Sequence, residues 1–303
     1  ATKISVSTKS ATSAAKLHHD HGVKAIALEV NAEANREAVE DADVILIATK
    51  PAYVVEVLKE VSSEIKSGSL VISVAAGITT AAMEAALPES VAVIRSMPNT
   101  PAIVGRALTG LAKGSRATDA QVKIAEELFG TVGKTLLLAE SRIDALGTIS
   151  GSGPAYVFYL VEQLTAAAVH QGFSDAEAKL LVNETFLGAI ELLVASGKEP
   201  QELRRQVTSP NGTTMQAIAR IEQADLVAAL GKLRRRRQSG RTGADHDGAV
   251  AVLVLGPLAD HDARARLDDG HRDSLAVGGE DLGHSDFLAE EADLIKAAGV
   301  TLE

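Results

Sequence analysis

Short apolar runs alternate with helical patterns from the start of the chain to about residue 140. The run at 44–48 is almost wholly apolar, as expected for a strand that is covered on both faces. Strands that alternate with helices are typical of βα units, so this part predicts an α/β domain with a parallel sheet. The strands are predicted at 3–7, 25–30, 44–48, 70–74 and 91–96, with weaker candidates at 108–112 and 134–138.

The period becomes helical between about residues 141 and 231. Helices are predicted at 143–172, 175–196 and 200–207, with Asp175 as an N-cap and Gly172 and Gly197 as stops. The first two helices are rich in alanine and apolar around much of their circumference, so they need burial on several sides. Because this half has only about 90 residues, we expect a partner chain to cover them.

Neither period persists beyond about residue 232. A run of arginines at 234–237 leads into a stretch rich in Gly, Asp, Arg and His. Such a charge run is typical of a solvated tail, with nucleic-acid contact as the alternative. Within the stretch a strand is predicted at 250–255 and a short helix at 287–298. Two interpretations of residues 232–303 stay open, a disordered tail and the translation of a shifted reading frame.

Composition limits the classes of function. A length of 303 residues predicts about two domains, and a formal net charge of −10 argues against partners such as nucleic acids or membrane surfaces. The chain has no cysteine, which excludes disulfides and thiolate chemistry. It opens without a signal peptide, and its longest apolar run, 249–255, is too short to cross a bilayer. We therefore expect a soluble, cytoplasmic protein.

The segment from Val207 to Thr214 combines hydroxyl side chains, two turn dipeptides and the start of a new helix. Either Thr213 or Thr214 is expected to cap that helix. A helix start offers free N–H groups and the positive end of the helix dipole, which suits a carboxylate or a phosphate. The alternative is an ordinary connector between two helices.

The end of the first predicted strand favours a phosphorylated cofactor. Residues 7–10 are Ser, Thr, Lys and Ser, without the carboxylate that holds the ribose of NAD. This chemistry suits the 2′-phosphate of NADP, although Ser7 or Thr8 is also a plausible helix N-cap. The residues show no complete G-x-G-x-x-G motif, and the near match at 151–156 is more typical of close helix packing than of a nucleotide site.

Three more loops follow predicted strands, at 49–51, 75–79 and 97–101. Each resembles an ordinary turn by itself, but open α/β sheets bind ligands at successive strand ends. The segment 18–21, His-His-Asp-His, is a weak metal candidate that fits a solvated helix end better, so no metal site is predicted. Since no Ser/His/acid arrangement stands out, the chemistry is expected to come from a cofactor.

These loops, together with 150–155 (SGSGPA) and 208–214 (TSPNGTT), closely resemble pyrroline-5-carboxylate reductase over residues 3–231. The resemblance implies a Rossmann-type domain over 1–140 and an all-helical domain over 141–231 that binds substrate and interlocks with a second subunit. It implies NADPH, with NADH possible, and homodimers or higher oligomers. The reaction would be hydride transfer to the cyclic imine 1-pyrroline-5-carboxylate, which gives L-proline in proline biosynthesis.

The resemblance also implies the site, position by position. Ser7 and Thr8 would flank the adenosine phosphate, and Asn35 would lie beside the adenosine ribose. The other cofactor residues would be Ala48, Lys50 and Pro51 near the middle of the cofactor, and Ala75, Ala76, Gly77 and Asn99 around the nicotinamide. The substrate residues would be Ser209, Gly212, Thr213 and Thr214, of which Ser209 and Thr214 take catalytic roles.

The chemistry of the substrate fits these residues. The Ser209 hydroxyl and the N–H groups after Gly212 can bind the carboxylate, and the Thr214 hydroxyl can face the ring nitrogen. Hydride then passes from the nicotinamide to the imine carbon, most easily when the nitrogen is protonated. No general acid is assigned, because the motif contains neither histidine nor carboxylate, and protonation by solvent is the simplest hypothesis.

The chain departs from the family pattern at both ends. The family begins with a strand and a glycine-rich phosphate loop that precede residue 1 here, so we expect impaired NADPH binding and a gap in the centre of the sheet. After Gly231 the family continues with a final helix that residues 232–303 do not match. The alternative function is therefore an impaired homologue that acts only as an oligomerising subunit. A dehydrogenase of hydroxy acids is the weakest alternative. That class usually needs a catalytic lysine on the helix that opens its second domain, and here that helix offers Tyr156 and Glu162 instead.

Overall fold

The computed structural model describes residues 4–225 and, as backbone only, residues 252–255. These residues form two units. The first unit contains the chain up to Leu146 together with the strand at 252–255, and the second begins at Gly147. The helix predicted at 287–298 and the rest of the tail from residue 232 lie outside the described residues.

The first unit is built on a mixed sheet in which most neighbouring strands are parallel. Its strands are β1 Ile4–Thr8, β2 Lys24–Ala27, β3 Val44–Ile47, β4 Leu70–Ser73, β5 Ala92–Met97, β6 Ala107–Lys113, β7 Gly133–Leu137 and β8 Val252–Leu255. Their order across the sheet is β2-β1-β8-β3-β4-β5-β6-β7. The predicted strands are confirmed, with ends that differ by at most three residues.

Helices cover both faces of this sheet. They are α1 Ala11–His21, α2 Ala34–Val39, α3 Val54–Val61, α4 Thr80–Glu84, α5 Asp119–Gly130 and α6 Ile143–Leu146. Alternate residues of β3 serve two separate cores: Val44 and Leu46 pack in one, and Ile45 and Ile47 in the other. The apolar run at 44–48 therefore has the double-sided burial that its composition predicted.

The expected gap in the centre of the sheet is not present. Strand β8 lies between β1 and β3 and runs antiparallel to both, with Val252 opposite Ser7 on one side and Ile47 on the other. The prediction of a gap was wrong because buried strand edges leave N–H and C=O groups that need hydrogen-bond partners. A segment from the far end of the chain supplies them, which confirms a strand within 250–255.

The N-cap of α1 differs from the prediction, although the helix begins at Ala11. Its N-cap is Ser10, whose side chain accepts the Ser13 N–H, and not Ser7 or Thr8. Both of those residues belong to β1 and are buried. The strand continues further than its polar sequence suggested, because pairing with two neighbours satisfies its backbone.

The second unit is helical, as predicted. Its helices are α7 Gly153–His170, α8 Asp175–Ser196, α9 Pro200–Gln206 and α10 Thr213–Glu222. The single helix predicted over 143–172 is interrupted by a π-helical turn, Gly147–Gly151, whose ends are both glycine. The Ser152 N–H donates to the Gly147 carbonyl across this turn at 3.0 Å. The near match to a nucleotide motif is thus the start of α7. Among the described residues of the single chain, no atom lies within 4 Å of a Cβ placed on Gly153.

A capping box begins α8 one residue earlier than expected. Ser174, and not Asp175, is the N-cap, and its side chain and backbone exchange hydrogen bonds with Glu177. The bonds from the Ser174 hydroxyl and then its N–H hold the pKa of Glu177 below its ordinary value. The helix ends at Gly197 with φ +61°, which confirms the predicted stop.

Much of the apolar surface of α7 and α8 is exposed in the single chain. Phe158 and Leu180 are each 66% exposed, and Val194 is 78% exposed. Among the described residues no single helix meets the length and hydropathy needed to cross a membrane; α8 and α9 meet it only as a pair bent by 119°.

Candidate functional site

The segment predicted to bind the substrate forms a tight turn between α9 and α10. The Gly212 N–H donates to the Ser209 carbonyl at 3.1 Å, and Asn211 lies in the left-handed region with φ +59°. Proline followed by a residue with positive φ is the pattern of a type II turn, which Pro210-Asn211 satisfies. The turn thus brings the Ser209 side chain back over the start of α10.

Helix α10 begins without a side-chain cap from any described residue, and its N-cap is Gly212. The expectation that Thr213 or Thr214 caps the helix was therefore wrong, because both already have helical geometry. The first intrahelical bond joins the Gln216 N–H to the Gly212 carbonyl at 3.3 Å. The N–H groups of residues 213–215 have no intrahelical acceptor and are directed toward the start of the helix, where an anion can accept from them.

The four predicted substrate residues are close together at this helix start. The Ser209 hydroxyl lies directly over the Gly212 Cα, so that a Cβ at position 212 would collide with it. Thr213 and Ser209 are exposed, whereas Thr214 and Gly212 are half-buried. The hydroxyl of neighbouring Thr208 donates to the Arg204 carbonyl at 2.6 Å and belongs to the end of α9. A shallow cleft between α9 and α10 touches Thr208 but none of the four substrate residues.

The predicted cofactor loops share one edge of the sheet in the first unit. Strands β3, β4 and β5 are mutually parallel, and β1 has the same direction because both β1 and β3 run antiparallel to β8. Their carboxyl ends therefore lie along the same edge, where open α/β sheets bind ligands. The residues that follow these ends are Ala48, Lys50 and Pro51 after β3, Ala75, Ala76 and Gly77 after β4, and Asn99 after β5.

The residues predicted to border the cofactor at this edge have small side chains or lie on the surface. Gly77 is exposed and adopts φ +82°, and no described atom lies within 4 Å of a Cβ placed on it. Ala48 and Ala76 are half-buried, Ala75 is buried, and Lys50 and Pro51 are exposed. The Asn99 side chain accepts the Leu108 N–H at 2.9 Å, which fixes the loop after β5. Small side chains and a fixed backbone of this kind fit the close approach of a nicotinamide.

The three residues predicted beside the adenosine are instead committed to internal hydrogen bonds. Ser7 donates to the Asn35 side chain at 2.7 Å, and both residues are at most 2% exposed. The Asn35 amide in turn donates to both carboxylate oxygens of Glu60. The buried Thr8 hydroxyl donates to the Ser10 carbonyl at 3.0 Å. These side chains are buried beneath the end of β1, where their hydrogen bonds stabilise its conformation, and they are not exposed on its surface.

A carboxylate that the sequence did not predict lies at this position. The Ala11 N–H, the first of α1, donates to Glu29 Oε2 at 2.9 Å. Glu29 arrives from the end of β2, where its N–H pairs with the Lys9 carbonyl. Residues 7–10 contain no acidic side chain. Glu29 is distant from them in the sequence, but the pairing of β1 with β2 places its carboxylate beside the start of α1.

The direction of β8 determines which end of the central strand lies at this edge of the sheet. Val252 lies at the edge that holds the carboxyl ends of β1 and β3. The central strand β8 therefore begins at this edge, where β1 and β3 end. Among the described residues, the loops predicted to bind the cofactor follow the parallel strands β3, β4 and β5.

The histidine segment at the end of α1 has structural partners. His18 Nδ1 lies 3.0 Å from the Val23 carbonyl, and His19 Nδ1 lies 2.8 Å from Asp20 Oδ1. Across residues 4–225, no three His, Asp or Glu side chains are grouped in a way that could hold a metal ion.

Comparison with known families divides the chain in the same way as the fold. Residues 140–238 match the family described as pyrroline-5-carboxylate reductase dimerisation. Residues 1–77 match the family described as NADP oxidoreductase, coenzyme F420-dependent.

Individual relatives agree with these matches. The chain is 41% identical over 204 residues to pyrroline-5-carboxylate reductase of Corynebacterium melassecola, with 66% of this chain and 76% of that protein covered. A solved pyrroline-5-carboxylate reductase from Coxiella burnetii superposes with a TM-score of 0.65 at 34% identity, covering 75% of this chain and 83% of that one.

A second solved structure is pyrroline carboxylate reductase of Plasmodium falciparum with NADP bound. It superposes with a TM-score of 0.63 at 25% identity and covers 70% of this chain and 78% of that one. With two domains matched in order and a 41% identical relative covered over most of its length, the chain belongs to the pyrroline-5-carboxylate reductase family.

Proposed function

We propose that this protein reduces 1-pyrroline-5-carboxylate to L-proline with NADPH, and that the turn from Ser209 to Thr214 binds the substrate. The observation that carries the assignment is the start of α10, where Ser209 covers Gly212 and no described side chain caps the helix. Family membership supplies the reaction; the roles of individual residues are our proposal.

The substrate carboxylate is assigned to the start of α10. The N–H groups of residues 213–215 and the positive end of the helix dipole favour a negative charge. The exposed Ser209 hydroxyl adds a donor on the same side. Thr214 is half-buried at the second helical position, so its hydroxyl is assigned to the ring nitrogen, where it orients the C=N bond.

The cofactor is assigned to the sheet edge of the first unit. When bound, NADPH supplies the hydride that reduces the C=N bond. Ala75, Ala76, Gly77 and Asn99 would border its nicotinamide, and Ala48, Lys50 and Pro51 its middle. Ser7, Thr8 and Asn35 would support the adenosine end through the backbone of β1, because their side chains are engaged internally. The protein contributes position and the exclusion of water.

Several finer assignments rest on the sequence and stay predictions. They are NADPH as the preferred cofactor over NADH, a cytoplasmic location, the absence of nucleic-acid and membrane partners, and the domain limits 1–140, 141–231 and 232–303. The exposed apolar helices α7 and α8 support a homo-oligomer formed through the second unit.

Replacement of Ser209 tests the substrate assignment. In Ser209→Ala, the loss of one hydrogen bond to a carboxylate should raise the KM for 1-pyrroline-5-carboxylate about tenfold, with the KM for NADPH unchanged. Thr208→Val is the matched control, since its hydroxyl serves α9, and it should change neither KM. Steady-state NADPH oxidation measures both constants. Equal effects of the two substitutions, or an effect on the NADPH KM alone, would refute the carboxylate site.

A further inference from the structure

Glu140 connects the segment that leaves the sheet with the start of α4. Its Oε1 accepts the Thr80 N–H at 2.6 Å, and its Oε2 accepts the Thr80 hydroxyl at 2.9 Å. Thr80 is the first residue of α4 and is 6% exposed. One carboxylate therefore holds both the backbone and the side chain of this residue, in the geometry that favours an anion at a helix start.

Arg95 holds Glu140 in place from the sheet. This β5 side chain is 3% exposed; its Nη1 lies 3.7 Å from Glu140 Oε1, and its Nη2 donates to Asp144 at 2.6 Å. Its Nε is buried and has no hydrogen-bond partner among the described residues. A buried guanidinium needs counter-charges, so Glu140 and Asp144 stabilise Arg95 in its buried position. Arg95 in turn restrains the positions of the two carboxylates.

The loop between β4 and α4 is held at both ends by such contacts. At its start, Ser73 accepts the Ala75 N–H at 3.2 Å on its side chain and the Ser96 hydroxyl at 2.9 Å on its carbonyl. At its end, Thr80 is bound to Glu140. Ala75, Ala76 and Gly77, the proposed nicotinamide border, lie between these two points. Ala75 is buried and packs in one of the two cores, whereas Ala76 is half-buried and Gly77 is exposed.

We propose that Glu140 is a positioning residue that sets the backbone of residues 75–79 against the nicotinamide. The inference rests on the proposed function, since it presupposes that this loop borders the cofactor. It assigns Glu140 an effect on the nicotinamide end of the cofactor alone, because the adenosine end lies at β1, beyond β8 and β3 in the sheet.

The test compares two ligands on the full chain. NADP⁺ carries the nicotinamide, whereas 2′,5′-ADP carries the phosphorylated adenosine without it. In Glu140→Ala the Kd of NADP⁺ should rise about tenfold, the loss expected for a charged hydrogen bond, while the Kd of 2′,5′-ADP stays the same. Amide hydrogen exchange of residues 75–80 should become faster. Glu140→Gln keeps an oxygen acceptor for the Thr80 N–H, so it should change the Kd of NADP⁺ and the exchange rate of residues 75–80 less than Glu140→Ala does.

Glu84 provides a matched control. Its buried carboxylate also accepts one hydroxyl and one backbone N–H, from Ser115 and Arg116, but these follow β6, whose carboxyl end lies at the opposite edge because β6 is antiparallel to β5. Glu84→Ala should lower the Tm without changing either Kd. Equal weakening of both ligands in Glu140→Ala, or unchanged exchange, would overturn the proposal. If the wild type binds neither ligand, the proposed function fails, and hydrogen exchange alone decides whether Glu140 orders the loop.

Discussion

Glu29 places a negative charge at the point where the 2′-phosphate of NADPH would approach. Its carboxylate accepts the first N–H of α1 at 2.9 Å, so it occupies a donor that a phosphate could use. Glu29 is exposed, and water and salt therefore screen its charge. At the scale of single residues, we therefore expect this side chain to weaken the preference for NADPH that the Ser-Thr-Lys-Ser sequence at 7–10 would otherwise give.

Replacement of this charge should strengthen the preference for NADPH. In Glu29→Gln the KM for NADPH should fall about threefold, an effect typical of an exposed charge at a helix start, while the KM for NADH should not change. Glu33→Gln is the control, because Glu33 is also exposed and pairs with Arg36 at 3.0 Å. The ratio of kcat/KM for the two cofactors measures the effect. A ratio that shifts equally in both variants would show that Glu29 does not act at the phosphate.

At the scale of elements, the local pattern of apolar residues predicted the positions of most strands and helices. The strands from β1 to β7 and the helices of the second unit follow from apolar periodicity, and Gly197 ends α8 because only a residue tolerant of positive φ fits there. The N-caps were each one to three residues away from the prediction. Residues next to Ser10, Ser174 and Gly212 are equally suitable as N-caps, so contacts in the folded chain decide which residue takes that position.

Contacts between distant segments could not be predicted in this way. The direction of β8 depends on which strand edges are left unpaired, and the bond from Ala11 to Glu29 depends on the register of β1 with β2. The two ion pairs that the buried Arg95 forms with Glu140 and Asp144 span 45 and 49 residues of sequence, and isolated charged residues carry no local signal of such pairing. The turn at 209–212 could be predicted because its Pro and Gly signals are adjacent in the sequence, whereas its role in substrate binding stays a prediction.

The placement of β8 can be tested through its backbone. Leu253→Pro removes an N–H from the centre of the sheet, where β8 pairs with β1 and β3, and should lower the Tm by about 5 °C or more. Leu253→Ile keeps the N–H and introduces a side chain suited to a strand, so it serves as the matched control and should leave the Tm close to that of the wild type. Identical melting of the wild type and Leu253→Pro would mean that the sheet does not depend on this strand.

At the scale of the whole molecule, the second unit is incomplete as a single chain. Helices α7 and α8 show large apolar side chains on several sides, including Leu187, which is 55% exposed. Isolated soluble proteins rarely expose a contiguous apolar surface of this kind. The match of residues 140–238 to a dimerisation family agrees with burial against a second copy.

A charge on this surface should separate the subunits. Leu187→Lys keeps a good helix former, so the helix should persist while the apolar contact is lost and a charge is buried. The oligomer should dissociate toward monomers in size-exclusion chromatography with light scattering. Glu127→Lys, on an exposed position of α5 in the first unit, should leave the oligomer intact. An unchanged mass for Leu187→Lys would place the interface elsewhere.

The central claim is that this chain reduces the cyclic imine at the turn from Ser209 to Thr214. The most direct test is NADPH oxidation with 1-pyrroline-5-carboxylate, with proline identified as the product. We predict turnover by the wild type, a similar rate for Thr214→Ser, and a kcat about a hundredfold lower for Thr214→Val, which lacks the hydroxyl assigned to the ring nitrogen. No turnover by an intact wild-type oligomer, or full activity of Thr214→Val, would contradict the claim; the first result would favour a subunit that only oligomerises.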